Sequence, residues 1–132
     1  MSQPTFTGLH FWVRDMKASL AFYRAIGLEA DDVADDEELA RIRLPNGLTL
    51  ALGTHALTRR YDPGFSEPPA GSRGSMALQF DLPSRRAVDD LFGKLISARY
   101  DAHLAPFDAF WGNRYCEVLD PDGNTVGFHG AD

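Results

Sequence analysis

The side chains that could do chemistry in this chain are its 4 histidines (His10, His55, His103 and His129), the single cysteine Cys116 and a set of aromatics grouped outside the regular apolar patterns. A cysteine nucleophile needs a helix N-terminus or a neighbouring cation to become a thiolate. Cys116 follows Tyr115 in a strand-like run with neither signal in view, so it reads as a small buried hydrophobe. One cysteine also excludes an intrachain disulfide and any multi-cysteine zinc site. The chain has no Gly-x-Ser-x-Gly elbow and no phosphate-cradling glycine loop. Gly71-Ser72-Arg73-Gly74 has amides for an anion but precedes a strand pattern where the known motifs precede a helix, and it reads as linker. The acidic stretch Asp31-Asp32-Val33-Ala34-Asp35-Asp36-Glu37-Glu38 lacks the glycine and oxygen spacing of a calcium loop and reads as a solvated connection. The aromatic signal is stronger. Phe107, Phe110 and Trp111 crowd one segment, and Tyr61 and Phe65 another. Flat side chains of this kind bury large ligand area at little entropy cost, and the plainer reading of Phe107 and Phe110 as core closure stands beside it.

The elements that must carry these residues repeat. Phe6 to Val13 reads as a strand, and Asp15 caps a helix from about Met16 to Ile26, with Leu20, Phe22 and Tyr23 at helical spacing and Gly27 at its end. Leu39 to Leu44 and Leu48 to Leu52 flank Pro45-Asn46-Gly47 as a hairpin, and a further strand is expected near Leu28 to Ala30. The same order returns: a strand from Ser75 to Leu82, a helix capped by Ser84 with Val88, Leu91, Phe92 and Leu95, then Arg114 to Leu119 and Thr125 to Phe128 joined through Asp122-Gly123-Asn124. Gly8 and Ser75 lie 67 residues apart and the terminal hairpin turns 76 apart, so the second copy carries an insertion, assigned to His103 to Trp111. The expected architecture is α+β: two tandem βαβββ modules forming a curved mixed sheet around a cleft, helices outside. Module one spans about residues 5–54 and module two about 75–129 of a single domain. Residues 55–74 have turn-forming composition and read as an inter-module loop, docked through Tyr61 and Phe65.

Size and charge exclude other classes. A chain of 132 residues with 44% hydrophobic and 24% charged residues suits one folded domain. Thirteen Lys plus Arg against nineteen Asp plus Glu give a net charge of −6, which offers no field to a phosphate backbone or an anionic bilayer, so nucleic acid and membrane are not expected partners. The start Met1-Ser2-Gln3-Pro4 has no charged-then-apolar leader, no long apolar run follows, and a cytoplasmic location is expected.

The tandem repeat, the helix start Asp15-x-x-x-Ser19-x-x-Phe22-Tyr23 and the closing Asp120-Pro121-Asp122-Gly123-Asn124 resemble the glyoxalase, bleomycin-resistance and extradiol dioxygenase superfamily over nearly the whole chain. Arg60-Tyr61-Asp62-Pro63, Tyr100, His103-Leu104 and Trp111-Gly112-Asn113-Arg114-Tyr115 are similar in order and spacing to its mitomycin-resistance, drug-binding branch. The enzymes of this superfamily hold a divalent metal on four side chains, and the matching positions here are Gly8, about Ala51, Ser75 and Gly127, which supply no adequate ligand set. No metal and no other cofactor is therefore expected. His10 and His129 each lie two residues beyond such a position and share its pocket-facing parity. A metal held by that pair would have only Gln79 as a same-face third ligand, so pocket lining or packing is preferred, and His55 and His103 read as loop residues with surface roles. In the drug-binding branch the tryptophan matching Trp111 stacks on the ligand. The opposite stacking position falls on Leu39, with Trp12 as a possible substitute clamp.

The resemblance thus implies a non-catalytic, antibiotic-sequestering protein for a planar aromatic or quinone-like small molecule, acting as a homodimer with no catalytic residues. Its expected lining is Trp111, Tyr61, Phe107, Phe110, Trp12, Leu39 and His10. The alternative from the same resemblance is a lyase, isomerase or dioxygenase with a non-standard or absent metal site, using His10 or Glu117 as general base.

Overall fold

A computed structural model describes residues 2–69 and 71–132. It is α+β, with seven strands in two mixed sheets and three helices among the described residues. Contacts along the chain divide it into two compact units, residues 1–68 and 69–132.

The first unit runs β1 (Gly8–Val13), α1 (Met16–Ala25), β2 (Leu39–Arg43), β3 (Thr49–Thr54) and α2 (His55–Tyr61). Its sheet has the order β1-β3-β2, with β1 parallel and β2 antiparallel to the central β3. Side chains alternate across a sheet. Val13, Ala40, Ile42, Leu50 and Leu52 are buried on one face, and Met16, Leu20 and Tyr23 of α1 are buried with them. Each fully buried aliphatic side chain of this kind stabilises by roughly 1.5–3 kcal/mol. The Asp15 carboxylate accepts from the Ala18 amide at 3.1 Å to start α1, and Gly27 at φ +108° ends it.

The second unit runs β4 (Ala77–Leu82), α3 (Arg85–Ser97), β5 (Asp101–Asp108), β6 (Arg114–Leu119) and β7 (Thr125–Gly130). The order is β4-β7-β6-β5, with only the β4/β7 pair parallel. Leu78, Cys116, Val118, Val126 and Phe128 bury one face under Val88 and Leu95 of α3, which Ser84 caps by accepting from the Ala87 amide.

Three expectations need correction. Leu28 to Ala30 is not a strand: the Leu28 amide donates to the Tyr23 carbonyl and the Ala30 carbonyl accepts from the Arg24 guanidinium at 2.7 and 3.2 Å, so its polar groups serve the end of α1 instead of a ladder. Residues 55–74 are not all loop. The Thr54 hydroxyl accepts from the Leu57 amide and starts α2 at once, the turn formers beginning only at Asp62. His103 to Trp111 is largely strand β5, whose register against β6 shifts between Ala102 and Leu104 and again between Leu104 and Phe107, each shift taking up one extra residue.

Candidate functional site

In each unit strand register sets what stands on the sheet face away from α1 or α3. In the second unit one row across the strands reads Gln79, Gly127, Glu117, Leu104, and the next reads Asp81, His129, Tyr115, Phe107. Tyr115 leans from its row toward Gly127, where an added Cβ would strike its hydroxyl. That hydroxyl accepts from Gln79 Nε2 at 2.9 Å and donates to Glu117 Oε2 at 2.7 Å. Burial, aided by the Glu117 carboxylate and opposed by the Gln79 bond, pushes the phenol up to about 12, so Tyr115 is a neutral donor throughout the physiological range. The other Glu117 oxygen lies 3.7 Å from His103 Nε2, and the Arg73 guanidinium lies 3.2 Å from both His103 ring nitrogens while donating to the Thr125 hydroxyl. His129 Nδ1 is 2.9 Å from Asp81 and 3.2 Å from the Asn113 amide.

The aromatic residues border this polar row. Trp111 sits on the turn from Ala109 to Asn113, closed by Ala109 N to Asn113 O at 2.8 Å and by Gly112 at φ +102°, a conformation that suits glycine. Arg85 of α3 clamps the turn through Asp108 at 3.0 Å and the Gly112 carbonyl at 2.6 Å. The indole meets Phe107, Phe110 and Tyr115 edge-on at centroid separations of 6.3, 5.0 and 5.5 Å, and it remains 51% exposed. Phe107 and Tyr115 hold it by their edges while half its surface stays open, which is the form a stacking platform takes.

In the first unit the rows are Gly8, Thr49, Arg43; His10, Ala51, Arg41; and Trp12, Gly53, Leu39. His10 leans over Gly53, its Nε2 being 2.6 Å from where a Cβ would stand there. Its ring centroid is 6.0 Å from that of Trp12, which lies 6.3 Å from Phe65. Phe65 is held by His55 at 5.3 Å and by the Arg59 guanidinium at 6.0 Å above its ring. Glu67 joins α2 through His55 Nδ1 at 2.8 Å and through Arg59, and its bond to His55 lowers its carboxyl from the ordinary value.

Phe107, Phe110 and Trp111 therefore form one cluster, and His10 and Trp12 another, with Leu39 in the Trp12 row. Tyr61 stands exposed at the end of α2 and makes no ring contact among the described residues. Neither His55 nor His103 is a loop residue: His55 is buried at the start of α2, and His103 lies in β5. Sequence reasoning did not select Tyr115 or Arg41 for the site. The signal for Tyr115 was its place two residues from Glu117 on one strand, which period-two alternation puts on the same face.

The superfamily metal does not fit this donor set. A Cβ at Gly8 would strike the Thr49 carbonyl oxygen, the space over Gly127 is filled by Tyr115, Ala51 has no ligand atom, and Ser75 lies before β4 begins. Among the described residues no three His, Cys, Asp or Glu side chains come together as ligands. Cys116 is fully buried, which pushes its thiol up to about 11 and keeps it from acting as a nucleophile.

The chain belongs to the Glyoxalase/Bleomycin resistance protein/Dioxygenase superfamily, whose family model matches residues 6–128. Its fold is shared by a glyoxalase/bleomycin resistance protein/dioxygenase family enzyme from Burkholderia phytofirmans PsJN, at 21% identity and a TM-score of 0.81, covering 98% of this chain and 100% of that one. A lactoylglutathione lyase from Agrobacterium tumefaciens is similar at 21% identity and a TM-score of 0.68 over 98% and 96% of the two chains. A genomically encoded fosfomycin resistance protein, FosX, from Listeria monocytogenes is similar at 14% identity and a TM-score of 0.71 over 99% and 96%. The search of curated proteins found no match. No helix among the described residues is long and apolar enough to cross a membrane.

Proposed function

We propose that the protein binds a planar aromatic or quinone-like antibiotic reversibly and protects by sequestration, without catalysis. The observation that carries this reading is Trp111: an indole held edge-on by Phe107 and Tyr115, clamped through its turn by Arg85, and left 51% exposed beside a row of hydrogen-bonding groups. A ligand stacked there gains area burial plus roughly 0.5–1.5 kcal/mol per offset stack. Gln79, Glu117 and His129 stand on the same face to orient its polar edge. The similarity of Trp111-Gly112-Asn113-Arg114-Tyr115 to the mitomycin-resistance branch supports the same ligand class, and a fosfomycin resistance protein among the fold neighbours agrees with a resistance role. His10, Trp12, Leu39 and Tyr61, all of the first unit, are proposed as further ligand contacts. A cytoplasmic homodimer completes the reading. Support for the dimer comes from the outer edges of β1 and β2 in one sheet and of β4 and β5 in the other, which have no strand partner among the described residues and which a second copy would cover.

The test is quenching of tryptophan fluorescence by mitomycin- and bleomycin-class compounds, with inner-filter controls. The proposal requires saturation at about micromolar concentration, near −8 kcal/mol, and a loss of about tenfold or more in Trp111→Ala. A flat response across the panel would refute it.

A second reading is favoured by one feature. Glu117 is a carboxylate held between the Tyr115 hydroxyl and His103, an arrangement suited to a general base in a metal-free lyase or isomerase. That reading requires turnover that disappears in Glu117→Gln while ligand binding persists.

A further inference from the structure

The sheet face of the first unit away from α1 contains a concavity of about 300 Å³ lined by Thr7, Gly8, Leu9, His10, Arg41, Thr49 and Ala51. Its floor is built from small residues: Ala51 on the central strand β3 and Gly8 on β1. Register places Arg41 and His10 on either side of Ala51 in one row, with neighbouring strands about 4.8 Å apart, so the two basic side chains flank a gap about two strand spacings wide. His10 leans toward Gly53, whose missing Cβ makes room for the imidazole, and this leaves the space over Ala51 uncovered. No carboxylate lines the concavity, although the chain as a whole carries a net charge of −6. Four of the six arginines of this unit are engaged: Arg24 with Asp35, Arg59 with Glu67, Arg60 with Glu38, and Arg14 with the Pro68 carbonyl. The side chains of Arg41 and Arg43 have no ion-pair or hydrogen-bond partner among the described residues, and of the two only Arg41 lines the concavity.

We infer that this concavity is an anion subsite that takes the carboxylate of a small molecule, with the Arg41 guanidinium as its bidentate partner and an His10 ring nitrogen as a further donor. A planar fork matches a planar carboxylate through two parallel hydrogen bonds, and such charge-assisted pairs are about twice as strong as neutral ones. The volume lies at the lower limit of small-molecule sites, which suits a single ring or short chain bearing the acid. The subsite uses none of the residues that stack in the second unit, so Trp111→Ala leaves it intact.

The experiment titrates the full chain with sodium benzoate, neutral benzamide and inorganic phosphate, following backbone amide shifts of β1, β2 and β3 by NMR. Benzoate should produce saturable shifts at Ala51 and its row neighbours, with benzamide and phosphate weaker by about tenfold or more. Arg41→Gln should weaken benzoate by about tenfold or more, whereas Arg43→Gln, on the same face but outside the lining, should change it less than about twofold. Ala51→Glu, which supplies the cavity with its own carboxylate, should abolish the shifts. Equal affinity in Arg41→Gln, equal binding of benzamide, binding of phosphate alone, or no saturable shift with any probe would each overturn the assignment. Loss of antibiotic quenching with benzoate binding retained would count against the stacking proposal only.

Discussion

Replacing Gly127 with alanine should cost far more than one methyl group suggests. The new Cβ would strike the Tyr115 hydroxyl and would stand 2.9 Å from Gln79 Nε2 and 3.0 Å from Tyr115 Cε1. The phenol cannot swing aside cheaply, because its ring is wedged against Phe107 at 6.0 Å, Trp111 at 5.5 Å and His129 at 6.1 Å. Two outcomes are open to it. If the ring stays, overpacking costs about 1–3 kcal/mol. If it moves, the bonds to Gln79 and Glu117 break, at about 1 kcal/mol for the neutral one and about 1.5–3 kcal/mol for the charged one. Loss of glycine's freedom in the unfolded chain returns about 0.4–1 kcal/mol, so the net cost is about 0–2.6 kcal/mol by the first route and about 1.5–3.6 kcal/mol by the second, about 2 kcal/mol where the two overlap. With a urea m-value of about 1–3 kcal/mol/M, the unfolding midpoint should fall by roughly 1–2 M. Tyr115→Phe, which removes the hydroxyl that the new Cβ strikes, should recover at least about 1 kcal/mol in a double-mutant cycle. A Gly127→Ala protein within about 0.5 kcal/mol of wild type, or strict additivity with Tyr115→Phe, would refute the proposed packing of Tyr115 over Gly127.

Further outcomes follow from the same geometry. Phe110 is 98% exposed, so Phe110→Ala should leave the urea midpoint within the equivalent of about 0.5 kcal/mol, while its edge contact with Trp111 makes a weaker, severalfold effect on ligand affinity the expected result of titration. Cys116, buried and raised to about 11, should resist an aromatic disulfide reagent at pH 8 in the native protein and react fully in denaturant. Cys116 and Tyr115 have raised folded-state values of about 11 and about 12, against 9.0 and 10.0 for the free groups. Above the lower pair the unfolded chain releases protons that the folded chain retains, so stability should be insensitive to these groups below about pH 8.5. It should then fall as pH rises from about 9 to about 12, by at most roughly 3 kcal/mol for each group. Urea titrations across that range check the sign.

Much of the architecture was legible because local signals agreed. Asp15 and Ser84 cap helices, Gly27 ends one, and the Asn46-Gly47 and Gly123 turns separate strands whose apolar residues alternate. The Leu28 to Ala30 strand was misread because the triplet carries no sign that an arginine six residues before Ala30 will take its carbonyl. Bulges hid β5 for a related reason: period two breaks twice within it, and the segment resembled an insertion. The aromatic cluster around Trp111 could be anticipated, since its members lie within a few residues. Tyr115 over Gly127 could not, because that contact depends on side-chain lean between rows of different strands. Arg41 was equally hidden, as placing it beside Ala51 and His10 requires the register of three strands at once.

The most direct test of the central claim is equilibrium dialysis of the full chain against a mitomycin-class ligand, followed by release in denaturant and mass analysis of what was bound. Sequestration at Trp111 predicts saturable uptake in wild type, uptake reduced about tenfold or more in Trp111→Ala, and recovery of the ligand unaltered after prolonged incubation. Time-dependent conversion of the ligand, or uptake that is the same in both proteins, would contradict it.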